Sequence, residues 1–167
     1  MNRSDFWKII AQSDVNGADQ AEVLEKLLAQ RPADAVRAFA VHWGELMNEA
    51  YRRDLWAAAY VILGGCSDDG FTDFRYWLIG RGEAVYRAAR SNPDTLVGAA
   101  SESFPSYEEL GYAAHRAYES VTGEELHFER DPVYPELTGP TWETEDDLAR
   151  LLPELWHRFA PEWHSDE

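Results

Sequence analysis

Residues 66–82, CSDDGFTDFRYWLIGRG, hold the densest set of side chains able to do chemistry. Asp68 and Asp69 are adjacent, and Asp73 follows Asp69 by four residues. That spacing puts Asp69 and Asp73 on one helical face, where their oxygens could hold a divalent cation or one carboxyl could act as acid or base. Arg75 lies in the same stretch and Arg52, Arg53 and Arg81 flank it, so a guanidinium could grip an anionic group beside the carboxylates. Phe74, Tyr76 and Trp77 would wall such a cleft. A structural reading competes with this one. Asp68 or Asp69 would cap the helix after Gly64 and Gly65. Arg75 shares an apolar face with Phe71, Phe74 and Leu78, so it would require a carboxylate partner from Asp68, Asp69 or Asp73. Asp68, Asp69, Asp73, Arg75 and Trp77 are thus a ligand cluster in one reading and a helix junction in the other. Caps are frequent and functional carboxylate pairs are not, which favours the junction.

Other reactive types lack the company their chemistry needs. Cys66 could be a nucleophile at a helix N-terminus, but Asp68 and Asp69 oppose a thiolate and no histidine is close in sequence. A small buried cysteine is the expectation. A lone cysteine forms no internal disulfide and completes no cysteine-rich zinc site. Glu154 and His157 have the ExxH spacing of di-iron bundles without the second copy such a site requires. His42, His115, His127 and His164 show no paired ligand spacing. Asp14, Asn16 and Glu25 stand at three calcium-loop offsets, but Gly17 falls at the wrong offset and Ala18 replaces a ligand, so a turn is expected. No cofactor is expected.

The elements that must position these residues read as helices. Phe6, Trp7, Ile9 and Ile10, then Val23, Leu24, Leu27 and Leu28, predict two short helices separated by the turn-like SDVNGAD. Pro32 suits the first turn of a third, whose apolar residues Val36, Phe39, Ala40, Trp43, Leu46 and Met47 recur at three and four. Leu55, Ala58, Ala59 and Ile62 mark a fourth that Gly64 and Gly65 can end. A fifth carries Phe71 to Leu78, and a sixth surrounds Val85 and Ala88 after the break at Gly80 and Gly82. SNPD reads as a turn, and Ser106 with Glu109 reads as a capping box before Leu110 to Val121, closed by Gly123. Residues 124–143 contain three prolines and no sustained period, predicting a long extended connection that wraps a surface or covers a site. Thr144 and Asp147 resemble another cap before the last apolar stripe, Leu148 to Phe159, which Pro153 must kink or restart.

The expectation is an all-α fold: one compact multi-helix domain over residues 1–167 with a long extended connection before the last helix. The 167 residues, 45% hydrophobic, suffice for one sizeable core. No apolar run is long enough to span a bilayer, and MNRSDFWKII lacks the features of a secretory signal, so a cytoplasmic protein is expected. Arginine outnumbers lysine 13 to 2, which suits a GC-rich bacterial genome. Charge is uneven. Residues 1–100 hold 14 acids against 11 bases, whereas residues 101–167 hold 17 against 4. Such a field repels nucleic acid and anionic membranes, and it favours either solvation alone or a basic protein partner. Two function classes follow. One is a non-catalytic interaction or regulatory protein that docks a basic partner through its acidic C-terminal third. The other is a small-ligand binder or enzyme with an Asp/Arg cleft at residues 66–82.

DFWKII near the start, LWAAAYVILGGCSDDGFTDFRYWLIGRGEAVY, NPDTL and the later YAAHRAYESVTGEEL together resemble the bacterial family catalogued as domain of unknown function 4240. The hallmark is a helix ending before two glycines, followed here by Ser67, Asp68, Asp69, Phe71, Phe74, Arg75, Trp77, Leu78, Ile79 and Gly82. The resemblance spans most of the chain and implies no particular activity.

Overall fold

Apolar residues spaced three and four apart fold into nine α-helices and one 3-10 helix among the described residues, and no strand forms there. The structure is a computed structural model that describes residues 1–100, 107–128 and 135–160. Short polar side chains start the first two helices. Asn2 accepts the Asp5 N–H at 2.9 Å before α1 (Arg3–Ser13), and Asp19 accepts from Ala21 and Glu22 before α2 (Gln20–Ala29). Pro32 stands just outside α3 (Ala33–Glu49) rather than in its first turn. Next, α4 (Arg53–Leu63) stops at Gly64, whose φ of 66° is left-handed geometry that glycine adopts without a Cβ penalty. The junction leads into α5 (Asp68–Gly80) and α6 (Glu83–Ser91).

The expected SNPD turn extends into the 3-10 helix Pro93–Gly98, capped by Asn92. A fifteen-residue helix, α7 (Glu108–Thr122), ends at Gly123 as expected. Its anticipated capping box relies on Ser106, which lies outside the described residues. Thr144 and Asp147 do form a capping box before α8 (Glu145–Leu151), and Pro153 restarts the chain as α9 (Pro153–Phe159). Of the anticipated connection, residues 124–128 and 135–143 carry no helix. Among the described residues, no helix is long and apolar enough to cross a membrane.

The buried apolar side chains form one continuous cluster drawn from every α-helix. Phe6 stacks on Phe39 at 4.4 Å, and Trp7 meets Tyr86 at 5.3 Å, joining α1 to α3 and α6. Along α2 and α3 runs α7, which also crosses α5 closely. A Cβ on Gly111 of α7 would come within 2.6 Å of the Tyr76 ring, and one on Gly80 of α5 within 2.7 Å of Leu110. The missing side chains therefore set how near these two helices lie.

The chain after α7 returns to cover the start of α4. Thr138 forms an isolated parallel bridge with Arg52, in which the Arg53 N–H donates to the Thr138 carbonyl at 2.7 Å. The Trp142 indole N–H donates to the Arg53 carbonyl at 3.2 Å. Under this strap, buried Asp54 accepts from Arg52 and from the Leu55 N–H. Farther on, α9 rests on the 3-10 helix and α4. Buried Asp94 accepts the N–H groups of Glu154 at 3.0 Å and Leu155 at 2.9 Å, so a carboxylate 60 residues upstream caps a helix whose own preceding residue, Leu152, supplies no side-chain cap.

Candidate functional site

At the junction, Gly64 and Gly65 both have positive φ, 66° and 131°, and turn the chain sharply from α4 into Cys66 and Ser67. Gly70 needs no such freedom because it is an ordinary helical residue of α5. The cap differs from expectation. Ser67, not Asp68 or Asp69, accepts the Gly70 N–H at 3.2 Å. Both aspartates are exposed in the first turn of α5, where negative charge still complements the orphan N–H groups.

Arg75 also corrects the sequence reading. Among the described residues it makes no carboxylate pair. Its Nη1 donates to the Met47 carbonyl at 3.1 Å, its Nη2 to Thr72 Oγ1 at 3.1 Å, and its Nε to the Phe71 carbonyl at 3.3 Å. The guanidinium also lies over the rings of Phe71 at 4.9 Å and Tyr51 at 5.1 Å. Helical geometry supplies the reason. Asp73 is two residues away and projects from nearly the opposite side of α5, while Asp68 is two turns distant. The C-terminal end of α3 supplies the negative charge instead: Tyr51 N–H bonds to Asn48, which leaves the Met47 carbonyl for the arginine. Two π faces add to that stabilisation. Burial lowers the Arg75 pKa from its ordinary value.

The five candidate residues therefore occupy different settings. Asp73 is half-buried, and burial, with the Glu108 and Asp69 charges, raises its carboxyl pKa. Asp69 and Asp73 are thus brought near each other, as their spacing implies, but Arg75 faces α3. Trp77 is buried against Phe74 with ring centroids 5.4 Å apart, and Phe74 is buried too, so neither walls an open cleft. Among the described residues no three His, Cys, Asp or Glu side chains converge as a metal site. Glu25, one of the calcium-loop positions, pairs instead with Arg116 at 2.8 Å.

A groove of about 350 Å³ opens beside the junction, between α4, the Cys66 turn and the strap. Arg53, Trp56, Tyr60, Cys66, Trp142 and Glu143 contribute to its lining. Arg53, Trp56 and Tyr60 follow at three and four along α4 and so share one face. Trp56 stacks on Phe71 at 4.8 Å and 12°, and its indole N–H donates to the Cys66 carbonyl at 3.0 Å. Tyr60 and Trp142 meet at 5.0 Å. The Cys66 thiol is half-buried, and burial, followed by the Asp68 charge, pushes it up to about 11. It stays protonated at neutral pH and is a poor nucleophile. A second groove, of about 370 Å³, lies along α1 between Asp5, Lys8, Gln12 and Arg31. None of Asp68, Asp69, Asp73, Arg75 and Trp77 lines either groove.

The molecule is an all-α protein built around a glycine-stopped helix junction with an aromatic groove at its side. The chain belongs to the family described as protein of unknown function (DUF4240), which matches residues 1–120. That match bears out the resemblance read from the junction; it runs from α1 into α7 and leaves the strap, α8 and α9 outside. Neither a curated protein nor a solved structure matches the chain.

Proposed function

We propose that this is a non-catalytic interaction protein whose acidic C-terminal third docks on a basic protein partner, in a bacterial cytoplasm. The observation that carries the reading is the uncompensated charge of that third. Its described arginines are engaged: Arg116 with Glu25 and Glu109, Arg150 with Asp147, and Arg158 with the Val97 carbonyl. Glu119, Glu124, Glu136, Glu145 and Asp146 are exposed and make no ion pair among the described residues. Glu119 lies in the last turn of α7, which holds no basic residue, so it meets the negative end of the helix and costs stability. Self-repulsion of this kind is relieved by a cationic partner.

Decalysine serves as a probe. Binding should weaken by about tenfold or more between low and physiological salt, and by a similar factor in the triple variant Glu119→Gln, Glu124→Gln, Glu136→Gln. Equal binding by the parent and the variant would overturn the reading.

The small-ligand reading retains one supporting observation, the groove beside Cys66, and it shifts the ligand residues from the aspartates and Arg75 to Arg53 and the aromatic wall.

A further inference from the structure

We infer that the groove between α4 and the strap binds a zwitterionic aromatic amino acid. The argument begins with two opposite charges that share the groove without pairing. Arg53 makes one long side-chain bond, to the Gly139 carbonyl at 3.4 Å, and no ion pair among the described residues, which leaves most of its five donors uncommitted. Glu143 uses its backbone N–H on Asp147, while its exposed carboxylate has no ionic partner among the described residues. A ligand that carries both a carboxylate and an ammonium complements the two at once: the carboxylate meets the Arg53 fork and the ammonium meets Glu143.

The aromatic side chains that line the same groove select the rest of the ligand. The indole N–H groups of Trp56 and Trp142 are both spent on backbone carbonyls, of Cys66 and Arg53, so these rings offer π surface and hydrocarbon rather than donors. The same two bonds, with the stacking of Trp56 on Phe71, fix the rings before a ligand arrives and reduce the ordering cost of binding. A volume of about 350 Å³ is sufficient for one amino acid with a large side chain. Cys66 contributes a neutral thiol to the lining.

Calorimetry on the full chain tests the assignment with L-tryptophan and L-phenylalanine, and with phenethylamine and 3-phenylpropionate as analogues that lack the carboxylate or the ammonium. The two amino acids should bind saturably, and each one-charge analogue should bind about tenfold more weakly or worse. Arg53→Gln and Glu143→Gln should each weaken amino-acid binding by about tenfold, with circular dichroism and the unliganded melting temperature unchanged. Either variant alone suffices should the other fail to fold. The proposal is overturned if neither amino acid binds at about 10 mM, if phenethylamine binds as tightly as phenylalanine, or if a folded variant binds like the parent. The outcome is separate from docking of a basic partner, since decalysine binding is read on Glu119, Glu124 and Glu136.

Discussion

Burial, together with the neighbouring Asp68 carboxylate, holds the Cys66 thiol at about 11 against an ordinary value of 9.0. A rise of this size leaves roughly a hundredth of the usual thiolate at neutral pH, and thiolate is the species that reacts. Alkylation by iodoacetamide should therefore be slow at pH 7.5 and should climb about tenfold per pH unit to beyond pH 10, read by intact mass. A rate that levels off near pH 9 would contradict the burial. Asp68→Asn should accelerate the reaction by only a few-fold, because the charge is the smaller of the two causes. The direction of the Cys66 shift was legible in part from Asp68 beside it, whereas its larger cause, burial under the Trp56 side of the junction, exists only once the helices pack. The partner of Arg75 was not legible. A sequence shows that a cation on an apolar face needs compensation, yet the end of α3 and the Tyr51 ring can meet Arg75 only once the helices pack. The groove had one local trace, Arg53, Trp56 and Tyr60 on one face of α4, and its other wall, Trp142, arrives from more than 80 residues downstream.

Helix ends set by glycine, and the cap before α8, were legible because their causes are local, whereas the cap of α5 fell on Ser67 and not on the expected aspartates. Gly64 and Gly123 end helices through positive φ, and the Thr144–Asp147 box is built within four residues. The crossing of α5 and α7 has no such local signature, since Gly80 and Gly111 count only when they face each other's helix. Gly111→Ala would drive a methyl into the rigid Tyr76 ring, whereas Gly80→Ala meets the flexible end of Leu110. We expect Gly111→Ala to destabilise the protein by about 1–3 kcal/mol and Gly80→Ala by less, in urea titrations of both variants. The reverse order would show that the Tyr76 ring yields more readily than Leu110.

At the scale of the whole molecule, the region shared with the family and the remainder complete one core. Leu148, Leu152, Leu155 and Phe159 are buried although they lie beyond residue 120. One link between the two parts is Asp94, which accepts the first N–H groups of α9. A seven-residue helix does not persist alone in water, so α9 must wait for the 3-10 helix to present that carboxylate. Its closure spans 60 residues of chain, an entropic cost from which we expect it to come late on the way to the native state. Asp94→Ala should consequently lower stability by about 2 kcal/mol, almost all of it as faster unfolding, while the refolding arm of a stopped-flow chevron stays where it was. A slowed refolding arm would mean that α9 docks early. If it docks late, the lifetime of the native state is governed by how long the last two helices stay closed over α4, and the chain opens first from its C-terminal end.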